Sequence, residues 1–290
     1  ILTYGGYTHL TPDNPASIIV AASGSNSQVF SIASAGAATS SLVTITATWT
    51  GSEAISSRAL GGSDSVNVNI QARASISISN LAVSGSGTYV GGTSFTLTVT
   101  YQNAGGTSAT VDATLSYGGY THLTENNPAA VTVNALGSQT QVFTIDIATL
   151  ATDATVLISA SWTGTEAISS RAINGDIPVD TISVDIQSQA NVAITSMVIS
   201  GANGVGPYVG GMSFTLTVNY GNTGGTDATG VDATLTYGGY TYLTESNPGA
   251  ITVNAVSSNA QAFTINVAAA ATDATVTITA SWTGSEAISG

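Results

Sequence analysis

The stretch Ser94-Phe-Thr-Leu-Thr-Val-Thr-Tyr101 alternates apolar and hydroxyl-bearing residues without a break. A period of two places Phe95, Leu97, Val99 and Tyr101 on one face, which predicts a β-strand with one side buried. Outward from it the same alternation recurs. Ile76 and Ile78, then Leu81 and Val83 after a phase change near Asn80, read as a preceding strand with a bulge. Val111, Ala113, Leu115 and Tyr117 form a third strand, Val131 and Val133 a short fourth, and Phe143, Ile145 and Ile147 a fifth. Val156, Ile158, Ala160 and Trp162 line a sixth; Ile182, Val184 and Ile186 line the last. Asn103-Ala-Gly-Gly106 turns the chain, with glycine expected there for positive φ. No window has helical periodicity with a cap, so helix content is expected to be near nil.

Three markers show that this pattern repeats. Leu2-Thr-Tyr-Gly-Gly-Tyr-Thr-His9-Leu-Thr returns as Leu115-Ser-Tyr-Gly-Gly-Tyr-Thr-His122-Leu-Thr and as Leu235-Thr-Tyr-Gly-Gly-Tyr-Thr-Tyr242-Leu-Thr. Trp49-Thr-Gly-Ser-Glu53-Ala-Ile-Ser is matched from Trp162 and from Trp282. Tyr89-Val-Gly-Gly-Thr-Ser-Phe95 is matched by Tyr208-Val-Gly-Gly-Met-Ser-Phe214. The spacing of about 115 residues is one sandwich domain, far above a solenoid repeat. The fold class expected is all-β: tandem seven-stranded antiparallel immunoglobulin-like β-sandwiches. The domains expected are a partial one over 1–73 lacking its first strands, a complete one over 74–189, and one over 190–290 lacking its last strand. A first unit without two strands is expected to leave Phe30, Val43 and Ile45 open to water. The phasing favours a window from a longer repetitive chain; the alternative is that neighbouring molecules donate the strands.

Composition narrows the function. Only 7% of residues are charged, and the sole basic residues are Arg58, Arg73 and Arg171. The net charge of -13 argues against nucleic acid and anionic membrane surfaces as partners. No apolar run of membrane-spanning length and no basic-then-apolar leader is present, so no membrane insertion of this segment is expected. Absent cysteine excludes disulfides and thiolate sites, and absent lysine excludes lysine–asparagine cross-links. No Asn-x-Ser/Thr acceptor occurs.

The run Ile76-Ser-Ile-Ser-Asn-Leu-Ala-Val, followed by Gly-Gly-Thr-Ser-Phe-Thr-Leu-Thr-Val-Thr-Tyr-Gln-Asn-Ala-Gly-Gly-Thr, resembles the CARDB and related DUF11-type immunoglobulin-like repeats. That resemblance implies an extracellular or cell-surface location on a bacterial or archaeal protein. It implies no catalytic residues.

Candidate sites are few. Tyr4/Tyr7, Tyr117/Tyr120 and Tyr237/Tyr240 read as strand ends with a glycine bend and a closing tyrosine, or as an aromatic platform for a sugar or a neighbouring domain. They and Phe30 are the candidate interface. His9 and His122 become Tyr242 in the third copy, so the repeat requires no imidazole there. Glu53 with Arg58 and Glu166 with Arg171 read as loop ion pairs, with docking between domains as the alternative. Trp49, Trp162 and Trp282 read as packing residues at strand ends. Asp176, Asp180 and Asp185 are candidates for calcium between domains, weakened because the first unit offers only Asp64. No catalytic constellation, cofactor site or metal-ligand spacing is found. A structural protein is expected, a filament, sheath or surface layer built from copies of itself. An adhesin stalk or a carbohydrate-binding module with glycan partners is the alternative.

Overall fold

The computed structural model describes residues 1–175 and 180–287, and among these there is no helix. The first repeat contains β1 (Leu2–Thr3), β2 (Leu10–Pro12), β3 (Ile32–Ser34), β4 (Ser41–Ser52) and β5 (Ala59–Ile70). β4 and β5 form a long hairpin with β1 on the far side of β4, while β2 pairs with β3. The middle repeat contains β6 (Ile76–Val83), β7 (Thr88–Val90), β8 (Ser94–Asn103), β9 (Ala109–Ser116) and β10 (Leu123–Glu125). It continues with β11 (Val131–Val133), β12 (Ser138–Ile147), β13 (Ala154–Glu166), β14 (Ala172–Asn174) and β15 (Asp180–Gln187). The third contains β16 (Val192–Ser200), β17 (Ser213–Asn222), β18 (Ala228–Thr236), β19 (Leu243–Ser246), β20 (Ile251–Val253), β21 (Ser257–Val267) and β22 (Thr279–Glu286).

All seven strands read from alternation in the middle repeat are present, joined by the three-residue strands β7, β10 and β14. One sheet has the order β10-β12-β8-β6, the other β11-β9-β13-β15-β7, with β14 added outside β13. Pairing is antiparallel except where β7 runs parallel to β15. The phase change in β6 is a register shift between Ile78 and Asn80, and β16 repeats it between Ile194 and Ser196. The alternation drives the fold because it gives each sheet one apolar face. β8 follows it strictly, with Phe95, Leu97, Val99 and Tyr101 buried against Phe143, Ile145, Val156, Ile158 and Trp162. Each such side chain removed from water contributes about 1.5–3 kcal/mol. The third repeat holds an equivalent core around Phe214, Leu216, Val218, Tyr220, Phe263 and Ile265.

The first repeat differs from expectation. Val43 is buried at 3% exposure, while Phe30 and Ile45 are half-buried rather than open. Of the three, only Val43 is closed off, together with Leu10 and Ala38. The opened part of the face lies at Val68 and Val66, directly across the hairpin from Val43 and Ile45, and farther along it at Trp49.

Candidate assembly site at the junctions between repeats

Two short linkers, around Ala72 and around Ser188, join the repeats, and the same contacts hold both. The loop after β8 begins with Asn103, which is fully buried. Its Oδ1 accepts from Ser75 N at 3.1 Å and Gly105 N at 2.9 Å, while its Nδ2 donates to Thr107 O at 2.8 Å. Asn222 repeats this with Asn191 N at 3.0 Å, Gly224 N at 3.0 Å and Thr226 O at 2.8 Å. A buried side-chain amide that satisfies three backbone groups fixes the loop shape and the start of its own repeat together.

The glycines of this loop have a different role from the one expected. None of Gly105, Gly106, Gly224 and Gly225 has positive φ. They are small because the linker and the preceding repeat press on them. A Cβ on Gly105 would stand 2.0 Å from Arg73 O, and one on Gly106 would stand 2.2 Å from Ser40 Oγ. At the second junction the distances are 1.9 Å from Gly224 to Gln189 O and 2.2 Å from Gly225 to Asp153 Oδ1.

Glu166 closes the junction. Its Oε1 accepts from Ala74 N at 2.5 Å and lies 3.3 Å from Thr107 Oγ1, whose hydroxyl donates to Ala72 O. Glu286 accepts from Ala190 N at 2.6 Å and from the Thr226 hydroxyl at 2.5 Å. Burial pushes the Glu166 carboxyl up, but hydrogen bonds from the Ser169 hydroxyl and Ala74 N–H, with the adjacent Arg171 guanidinium, outweigh it and hold the group below the ordinary carboxylate value. The Arg171 Nε lies 3.5 Å from Glu166 Oε2, and Arg58 Nε lies 3.6 Å from Glu53 Oε2. These two pairs differ in setting: the Glu166 side chain is 3% exposed and the Glu53 side chain 46%. A loop ion pair describes Glu53 and Arg58; Glu166 also carries the linker.

The preceding repeat contributes an acceptor. Ser40 Oγ accepts from Ala72 N at 2.9 Å, and Asp153 Oδ1 accepts from Ser188 N at 2.6 Å. Each acceptor follows a threonine held by the second tyrosine of the Tyr-Gly-Gly-Tyr marker. Tyr7, Tyr120 and Tyr240 donate at 2.6 Å to the carbonyls of Thr39, Thr152 and Thr272. The rings of Tyr7 and Tyr120 meet His9 and His122 edge-on with centroids 5.4 Å apart, and Tyr240 meets Tyr242 at the same 5.4 Å. An aromatic edge is what the position requires, which explains why histidine and tyrosine alternate there.

The first tyrosines point to a carboxylate. Tyr117 donates to Glu125 at 2.5 Å and Tyr237 to Glu245; burial and then the neighbouring carboxylate push both phenols well above the ordinary value. Among the described residues Tyr4 has no partner for its buried hydroxyl, because Pro12 stands where the glutamates stand in the later repeats. All six tyrosines are half-buried, as is Phe30. Trp162 is buried, Trp282 half-buried and Trp49 exposed.

Of the proposed calcium ligands, Asp176 lies outside the described residues and Asp185 accepts from Thr155 Oγ1 at 2.7 Å. Among the described residues no group of three His, Cys, Asp or Glu side chains converges on a metal-sized site.

No family model matches the chain, and no curated protein matches it. Among solved structures, the Pseudomonas aeruginosa CupB2 chaperone is similar at 13% identity and a TM-score of 0.22, over 62% of this chain and 87% of that one. The YadV chaperone is similar at 10% identity and a TM-score of 0.23, over 72% of this chain and 98% of that one. The native conformation of E. coli alpha-2-macroglobulin gives 8% identity and a TM-score of 0.27; 90% of this chain is covered, but only 20% of that chain. Likeness this low carries nothing about function.

Proposed function

We propose that this chain is a structural repeat segment of an extracellular filament, sheath or surface layer that assembles through domain–domain or strand-donation contacts. The observation that carries the reading is the recurrence of one clamp at both junctions: Asn103, Thr107 and Glu166 at the first, Asn222, Thr226 and Glu286 at the second. A linker whose N–H and C=O groups are bound on both sides resists bending, and a chain of stiffly joined sandwiches suits a load-carrying array. The resemblance to surface repeats supports the location.

Electron microscopy of the native material tests it. Ordered fibres or sheets with a repeat of one sandwich are expected, and dispersed single chains under native conditions would overturn the assignment.

The alternative is an adhesin stalk or a carbohydrate-binding accessory module. The observation favouring it is Trp49, a residue 56% exposed and open to stacking on a sugar. Glycan-array binding that Trp49→Ala abolishes would select it over assembly.

A further inference from the structure

We propose that Asn203 is a site of spontaneous covalent modification. Its side-chain amide is lost through attack by the backbone nitrogen of Gly204, leaving an aspartyl or isoaspartyl linkage in the third repeat. The site is independent of the assembly reading and bears on how long that repeat keeps its covalent structure.

The sequence offers this chemistry at two places, Asn174-Gly175 and Asn203-Gly204, the only Asn-Gly pairs in the chain. Glycine after asparagine favours it because no Cβ keeps the backbone nitrogen from the side-chain carbonyl. Nucleophile and amide are neighbours in one chain, so ring closure needs only the right geometry. Geometry separates the two pairs.

Asn174 is held. It lies in β14, opposite Thr163 in the ladder with β13. Gly175 N, the nitrogen that would attack, donates to Trp162 O at 3.0 Å. Gly175 is also pressed on the Trp162 indole, since a Cβ there would stand 2.4 Å from Nε1. Freeing this nitrogen means opening the end of a sheet and lifting the chain off a buried ring.

Asn203 is held only by its own turn. It sits between β16 and β17 in the segment 201–205, which is exposed throughout. Gly204 N donates to Gly201 O at a long 3.2 Å within that turn. The other bonds are equally local: Gly206 N donates to Asn203 O at 3.0 Å and Asn203 Nδ2 to Pro207 O at 2.9 Å. A Cβ on Gly204 would meet nothing within 4 Å, so the attacking residue is unobstructed. Opening this turn breaks no strand pairing, and the reactive arrangement is therefore reached at lower free energy than at Asn174. The middle repeat lacks the site. There Ser84 and Tyr89 are joined by Gly-Ser-Gly-Thr, whereas Ser200 and Tyr208 are joined by the longer Gly-Ala-Asn-Gly-Val-Gly-Pro.

The step balances with water as the sole co-reactant. Gly204 N bonds to Asn203 Cγ, the Cγ–Nδ2 bond breaks, and Nδ2 leaves as ammonia with the proton from Gly204 N. Water then opens the cyclic imide and returns a proton to the nitrogen. Addition at Cγ gives the aspartyl chain; addition at the Asn203 backbone carbonyl carbon gives the isoaspartyl chain. Either product lacks the donor to Pro207 O. The isoaspartyl form also inserts an extra backbone carbon just before Gly204, whose carbonyl accepts from the Tyr208 hydroxyl. The Tyr208 ring stacks on Phe214 of the core with centroids 4.6 Å apart, so the change loosens the turn from the core.

The test incubates the intact protein in neutral and mildly alkaline buffer and follows both Asn-Gly pairs by peptide mass spectrometry with an isoaspartyl-specific methylation assay. Conversion at Asn203 at least about tenfold faster than at Asn174 is expected, because only the second needs a sheet to open. The rate is expected to rise with pH, since Gly204 N must shed its proton. In denaturant, where both pairs lose their structure, the two rates are expected to converge. Native conversion at Asn203 no faster than at Asn174 would overturn the site. So would an unchanged Asn203 in the folded protein over a time that suffices for the denatured chain.

Discussion

The Glu166 carboxylate accepts the backbone N–H of Ala74 at 2.5 Å, a contact between residues 92 positions apart. The last long strand of the middle repeat thus grips the residue at which that repeat begins. Glu286 grips Ala190 in the same way across 96 positions. Removing the carboxylate strands a backbone N–H and leaves Arg171 without its partner. Glu166→Ala is therefore expected to destabilise the middle repeat by about 2 kcal/mol. Glu53→Ala removes an exposed pair and is expected to cost less than about 0.5 kcal/mol. Denaturant unfolding of both variants checks the contrast.

The same carboxylate gives the junction an acid dependence. Its pKa is lowered on folding, so the unfolded chain binds the proton more tightly. The stability it contributes is complete above the unfolded value and is lost as pH falls through the depressed folded value. Melting temperature is expected to fall below about pH 4.5, and Glu166→Gln is expected to remove that component of the slope.

The strands were legible in the sequence because a two-residue period survives any tertiary detail: β6, β8, β9, β12, β13 and β15 can all be read from alternation. So can β11, whose Val-Thr-Val repeats an apolar residue after two; β7, β10 and β14 cannot, since none of them carries two apolar residues two apart. The junction was half legible. Asn-x-Gly-Gly-Thr recurs at Asn103 and Asn222, but local chemistry suggests a turn glycine, and only the folded chain shows the linker carbonyl 2.0 Å from where a Cβ would stand. Burial of Val43 was unreadable because it depends on how β2 and the loops close, which no periodicity encodes.

Those glycines give a steric prediction. At Gly105 an added methyl meets backbone, Arg73 O and Ser75 N, which cannot rotate away. Gly105→Ala is expected to cost about 2–3 kcal/mol. At Gly106 the obstacle at 2.2 Å is the Ser40 hydroxyl, so Ser40→Ala is expected to recover part of the loss in a Gly106→Ala background. A double-mutant cycle measures the coupling.

Tyr120 and His122 separate a hydrogen bond from a packing contact. Tyr120→Phe keeps the ring but loses the bond to Thr152 O, next to Asp153, which holds Ser188 N. A loss of about 1 kcal/mol is expected, with faster amide exchange at Ser188. His122→Tyr reproduces the third repeat's Tyr240–Tyr242 edge contact and is expected to stay within about 0.5 kcal/mol of the parent.

Tyr220 places an alkaline limit on the third repeat. Its hydroxyl donates to Gln261 Oε1 at 2.7 Å in the core, where burial and then the charge of Asp232 push its pKa from 10.0 up to about 12. An ionised phenolate there would lose its donor proton and face a carboxylate in a desolvated site, so the folded state holds the proton more tightly than the unfolded chain. Stability from this group is complete below pH 10.0 and is lost as pH rises towards about 12. Tyr220→Phe removes the titrating group but leaves Gln261 Oε1 paired with Ala233 N at 2.9 Å. It is expected to cost about 1 kcal/mol at neutral pH and less with each step above pH 10, so the stability curves of variant and parent converge. Unfolding measured between pH 8 and pH 12 reads this directly; curves that stay parallel would show that Tyr220 does not carry the alkaline transition.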